Sequence, residues 1–154
     1  SLKLKEKHLD GDVVILGNGE ARDNLNHMTR NFGITDRVHF PGSVGNISEW
    51  YERADLFVLS SIVEGFPNVL LEALTYGLPC ISFDCNTGPR DIIQDGFNGI
   101  LVDPNEKELG LSNAIDKIIV NQELRLNLSK NSILLRKKYS ISNIIQKWNN
   151  ILDI

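Results

Sequence analysis

Short apolar, β-branched runs alternate with helical periods along almost the whole chain, and that alternation admits few folds. The first run, Val13–Leu16, closes at Gly17-Asn18-Gly19 and leads into a polar helical stretch over 20–32 that Gly33 stops. A second strand over 38–40 ends at Pro41-Gly42, and a short helix over 47–54, with Asn46 or Ser48 as its cap, precedes a strand over 56–60. A helix over 67–76 follows, with Gly77 as its stop, then a strand over 80–83, a loop holding a short helix, and a last strand over 99–102. Helical stretches over 106–120, 123–139 and 142–153 finish the chain. Strand, crossover helix and strand again are the mark of a parallel sheet. The expected fold is therefore α/β, a Rossmann-like parallel β-sheet of five strands flanked by helices. Residues 1–11 read as a charged, helix-like tail where a doubly wound unit would open on a strand, so the sheet is expected to lack its first strand.

At 154 residues the chain is one domain long, and a 42% hydrophobic content suffices for one buried core. A single domain over 1–154 is predicted, with an amphipathic helix over 140–154. In that helix Ile141, Ile144, Ile145, Trp148, Ile151 and Leu152 share one face. Such a stripe is too apolar to be left in water and is predicted to pack on the chain's own sheet or on a neighbouring molecule. The net charge of -4 argues against a nucleic-acid binder, which usually carries a basic face. No apolar run approaches the ~18 residues of a membrane-spanning helix, and no signal-peptide core opens the chain, so a cytoplasmic protein is expected. Cys80 and Cys85 bracket a short apolar run at a spacing that suits neither a redox pair nor a zinc site. They read as reduced packing residues.

The segment EGFPNVLLEALTYGLP carries the chemistry. It places Glu64 at the carboxyl end of a strand, where ligands of parallel sheets bind, and Glu72 on the following helix. Between them Gly65, Phe66, Pro67 and Asn68 form a turn whose N1-type proline leaves the first helical N–H groups to attract anionic or oxygen-rich ligands. Two carboxylates at such a place suit pairs of sugar or ribose hydroxyls. The plainer alternative is a solvated loop acid at Glu64 and a helix acid at Glu72 paired with a nearby base.

EGFPNVLLEALTYGLP resembles the E-x7-E motif of retaining glycosyltransferases of family 4, group 1, whose GT-B fold has two facing Rossmann-like domains. GNGEARDNL, RVHFPGSV, ADLFVLSS, DGFNGILVDP and KYSISNIIQKW look like further stretches of the same domain, so the resemblance spans most of the chain. It implies the C-terminal, donor-binding domain of a two-domain enzyme. By that resemblance Glu64 is catalytic, beside the donor sugar, and Glu72 binds the ribose hydroxyls. Gly65, Phe66, Pro67, Asn68, Val69 and Leu70 would contact sugar and diphosphate through the turn's amides. Phe40, Pro41 and Gly42 would line the base pocket, and Gly17 and Gly19 form a strand-end turn. DCNTGPRDII further resembles a subgroup that handles UDP-linked N-acetylhexosamines or related hexoses.

The same resemblance implies a nucleotide-diphosphate sugar as donor, a saccharide or lipid-linked saccharide as acceptor, and an N-terminal GT-B domain that this chain lacks. The Arg and Lys that grip the diphosphate in such enzymes fall upstream of this chain. Membrane contact is expected only through the complete enzyme, peripheral on the cytoplasmic face. The resemblance is to metal-independent GT-B chemistry, so no metal and no other cofactor are expected. The alternatives are a non-catalytic nucleotide-sugar-binding subunit and a GT-B-type sugar-nucleotide epimerase, the latter disfavoured because its acid-base residues are not evident. Three further features read as structural. Gly17-Asn18-Gly19-Glu20-Ala21-Arg22 departs from a dinucleotide fingerprint at Arg22, where the third glycine would stand. His8, His27 and His39 are scattered surface or packing residues, and Arg136-Lys137-Lys138 reads as a solvated helix end.

Overall fold

The computed structural model describes residues 11–152, so His8 and most of the N-terminal tail lie outside the described residues. Contacts divide the chain into a unit ending at Trp50 and a second unit over Tyr51–Ile154.

In the first unit β1 (Val13–Leu16) pairs in parallel with β2 (Val38–Gly42) across the helix α1 (Arg22–Asn31). β2 runs on through Pro41, a residue tolerated where no partner needs its missing N–H. α1 starts two residues later than its periodicity suggests, because Gly19 to Ala21 are held in a turn closed by the Arg22 N–H on the Gly19 carbonyl at 3.1 Å. Val13 and Val14 stay largely exposed. α2 (Ile47–Arg53) runs across the boundary between the units.

The second unit holds β3 (Phe57–Leu59), β4 (Cys80–Phe83) and β5 (Ile100–Val102), all parallel in that order. Every buried hydrophobic residue of the core lies at or beyond Tyr51. β4 is buried at all four positions, as a central strand covered on both faces must be. Side chains alternate across a strand, so Cys80 joins one cluster with Leu70, Leu74 and Ile92, while Ile81 and Phe83 join another with Ala114, Ile118 and Leu128. The helices that supply them are α3 (Asn68–Thr75), α4 (Pro89–Ile92), α5 (Lys107–Val120) and α6 (Gln122–Ser132). α7 (Leu135–Lys138) and α8 (Ile141–Leu152) complete the chain. Both cysteines are free and buried, as expected of packing residues. Burial raises both thiols above their usual range, and at Cys85 the nearby Glu64 and Asp84 carboxylates add to it.

The parallel α/β class is the expected one, and four details differ. The five strands form a two-stranded and a three-stranded ladder rather than one five-stranded sheet. Alternation marks which segments are extended but carries nothing about which edges meet. The stretch over 123–139 breaks at Ile133 and Leu134, where the N–H groups of Leu134, Arg136 and Lys137 reach back only three residues. This tightening brings Leu135 into the core. Arg136, expected to belong to a solvated helix end, donates to the Thr75 carbonyl at the end of α3. Finally, α8 has no buried residue, and Trp148 is 58% exposed. Its stripe therefore does not pack on the chain's own sheet.

Candidate functional site

Gly17 and Gly42 both have positive φ, 116° and 84°, and the Gly17 N–H donates to the Gly42 carbonyl at 2.8 Å. A Cβ at Gly42 would come within 2.9 Å of the Asn18 side chain, so this close approach requires glycine. Arg22 spans the two loops, donating to Asn18 Oδ1 and to the Phe40 carbonyl, both at 2.6 Å. Asn18 in turn donates to Ser43 Oγ at 3.2 Å. The strand-end turn (Gly17, Gly19) and the Phe40-Pro41-Gly42 segment are thus one linked structure. Arg22, the residue that spoils the dinucleotide fingerprint, is what joins them. His39 lies 3.1 Å from Asp12, whose carboxyl is held below its usual range by hydrogen bonds from Arg37 and then His39.

In the second unit the turn after β3 presents a half-buried Glu64 and an exposed Phe66, Asn68 and Val69. Pro67 is the N-cap of α3 rather than its first helical residue, since its ψ of 93° is extended. Its carbonyl accepts from both Leu70 and Leu71, at 3.0 and 3.2 Å, and no side chain caps the helix. The start of α3 therefore keeps the positive end of its dipole open to a ligand. Leu70 is committed to the fold, with its amide on Pro67 and its side chain fully buried. Phe66 rests against Tyr139, ring centroids 6.2 Å apart.

Glu72 points outward from α3, and Tyr51 holds it. The Tyr51 hydroxyl lies 3.3 Å from both Glu72 Oε2 and the Val69 carbonyl, and shares its proton between them. Phe57 and Tyr76 pack on the Tyr51 ring. Burial raises the Tyr51 hydroxyl above its ordinary pKa of 10.0, with the Glu72 charge adding to the shift. An acid whose folded pKa is raised contributes stability that is whole below its unfolded pKa and is lost as pH climbs beyond it. Tyr51→Phe is accordingly expected to flatten the fall of melting temperature between about pH 9 and about pH 12 relative to the parent, with the parent's steeper loss read by thermal scans at each pH. Tyr51 carries no local motif, and only its helical periodicity hinted that it is buried.

An open depression of about 480 Å³ lies beyond β4 and β5, lined by Asp84, Asn86, Arg90, Asp95, Leu101 and Asp103 among others. Asp84 pairs with Arg90 at 3.0 Å, Asp95 accepts from the Leu101 N–H at 2.9 Å, and Asp103 accepts from the Asn105 N–H at 2.8 Å. These carboxylates hold their own loops. Among the described residues no group of three or more His, Cys, Asp or Glu side chains is placed to hold a metal ion, and no helix is long and apolar enough to cross a membrane.

A parallel α/β unit with an acid-flanked turn and an uncapped helix start beyond one strand is Rossmann-like in architecture. The family model of the group 1 glycosyl transferases matches residues 2–134, and the chain belongs to that family. It is 34% identical over 149 residues to an uncharacterized glycosyltransferase of Haemophilus influenzae, covering 97% of this chain and 42% of the relative. It is 33% identical over 147 residues to an α-1,4-N-acetyl-D-galactosaminyltransferase of Campylobacter jejuni that acts on a diNAcBac-PP-undecaprenol-linked GalNAc acceptor, with 92% and 40% covered. The crystal structure of Anabaena HepE in complex with UDP shares the fold at a TM-score of 0.84 and 22% identity, with 93% of this chain and 41% of that one covered. The chain thus spans about 42% of the first of these curated relatives.

Proposed function

We propose that this chain is the donor-binding half of a retaining, family 4 glycosyltransferase of GT-B fold, completed by a facing N-terminal domain that binds the acceptor. The donor is a nucleotide-diphosphate sugar, specifically a UDP-sugar carrying an N-acetylhexosamine or related hexose. The acceptor is a saccharide or lipid-linked saccharide in glycan or polysaccharide synthesis, and the work is done on the cytoplasmic side of the membrane. Glu72 accepts the ribose hydroxyls. The amides of Gly65, Phe66, Asn68 and Val69 meet the diphosphate and sugar, and Phe40, Pro41 and Gly42 line the base pocket. Glu64 stands beside the sugar, where positive charge grows as the diphosphate leaves, and so acts more on the transition state than on the ground state. The leaving-group charge is met by helix-start amides and basic side chains, and no metal cofactor takes part.

The carrying observation is the pair of glutamates, half-buried Glu64 and exposed Glu72, bracketing the uncapped start of α3 in a chain of this family. Kinship with a GalNAc transferase and a shared fold with a UDP-bound protein support the choice of donor. Titrating the 15N-labelled chain with UDP, GDP and UDP-N-acetylglucosamine tests it. UDP and the UDP-sugar are expected to shift the amides of Gly65, Phe66, Asn68 and Val69 with a Kd weaker than ~1 μM, because two charge-assisted contacts at ~1.5–3 kcal/mol each are supplied from outside this chain. Absence of shifts with either ligand at millimolar concentration would sink the reading, and sub-micromolar affinity would show that this chain grips the diphosphate unaided.

A further inference from the structure

The loop after β4 presses on the turn that carries Glu64. Thr87 Oγ1 donates to the Glu64 carbonyl at 2.7 Å across 23 residues of sequence. The next residue, Gly88, is buried at φ 88°, where its own N–H is held by Asp91 Oδ2 at 3.1 Å. A Cβ at Gly88 would fall 2.3 Å from the Gly65 carbonyl oxygen and 2.8 Å from Pro67 Cδ, so only glycine permits this approach. Both contacts land on the Glu64–Pro67 turn: Thr87 bonds the carbonyl of the Glu64–Gly65 peptide, and Gly88 lies against the carbonyl of the next peptide, Gly65–Phe66. Beside these, Phe66 packs on Tyr139 and Pro67 is buried, while Ile62 and Val63 are exposed.

We propose that Thr87 and Gly88 clamp this turn and that Thr87 is a positioning residue of the donor-sugar site. It acts through the Glu64 backbone and does not itself touch the ligand. The proposal rests on the donor reading above for the sugar, while the clamp itself stands on the contacts. Fixing the Glu64 carbonyl and the Gly65 amide sets both the carboxylate's root and the first ligand-facing N–H. Loosening them degrades contacts to the sugar but leaves the ribose contact of Glu72, which α3 and Tyr51 hold separately.

The test is made on the chain itself with Thr87→Val, which keeps the shape and removes the donor, and Thr87→Ser, which keeps the donor. Gly88→Ala is a second, harsher probe. In Thr87→Val the amides of Gly65 and Phe66 are expected to exchange with solvent about threefold faster or more, within the range that one lost hydrogen bond allows. UDP affinity stays within about twofold of the parent, and the affinity that the sugar adds in UDP-N-acetylglucosamine is lost. Thr87→Ser restores both readouts, and Gly88→Ala, if it folds, exceeds Thr87→Val in the same direction. Unchanged exchange in Thr87→Val overturns the clamp. Equal loss of UDP and UDP-sugar affinity, or no rescue by serine, overturns the positioning role in favour of general stabilisation. A parent chain that binds neither ligand overturns the donor reading and with it the sugar part of this proposal. The exchange measurement is independent of that failure.

Discussion

Replacing Glu72 by alanine is expected to weaken UDP binding about tenfold or more, the largest change that a single side chain in this site should produce. The carboxylate is exposed on α3 and anchored by the Tyr51 hydroxyl, so it can offer two oxygens to a ribose diol with little rotamer freedom left to lose. A hydrogen bond to a charged group contributes ~1.5–3 kcal/mol, and each 1.4 kcal/mol is about tenfold in Kd. Glu72→Gln keeps the outline without the charge and should fall between parent and alanine. Glu64→Ala is expected to leave UDP affinity within about twofold. In the complete transferase proposed above it should instead lower kcat, because its effect is concentrated where charge develops. Calorimetry or amide-shift titration reads the first, and steady-state kinetics the second. If both alanine variants bound UDP and turned over within about twofold of the parent, the two glutamates would be structural.

Leu74→Ala should unfold the second unit at markedly lower temperature. Leu74 is fully buried on α3, in the cluster that also holds Leu70, Ala73, Leu78 and Tyr51. Truncating such a side chain costs ~2–5 kcal/mol in lost transfer energy plus cavity. That is a large share of the ~5–15 kcal/mol that holds a typical domain folded. At roughly 2–4 °C per kcal/mol for a chain of this size, melting should drop by roughly 4–20 °C. Val69→Ala, five residues earlier and 46% exposed, should change stability by no more than about 0.5 kcal/mol. A circular-dichroism melt of both variants separates the faces of α3. Equal effects would mean that the helix is not seated as described.

Where most helices and strands fall was legible in the sequence to within a residue or two, the stretch over 123–139 excepted. Hydrophobic period reports burial element by element, and glycine and proline punctuate the ends. Val13–Leu16 and Cys80–Phe83 coincide with the expected strands, and Glu72 sits on the expected helix. The acid-turn-helix segment was equally readable, because its spacing is local. Tertiary structure alone decided the rest. It split five strands into two ladders, a matter of which edges meet rather than of which segments extend. It left the α8 stripe uncovered in this chain and buried the Leu70 side chain fully. It also chose the groups that hold the site, and each comes from far along the chain. Tyr51 reaches Glu72 across 21 residues, Thr87 reaches Glu64 across 23, and Arg22 reaches Phe40 across 18. A hydrogen bond depends on distance in space, and sequence periodicity records only which side of its own element a residue faces, so such long-range partners come into view only once the elements are packed.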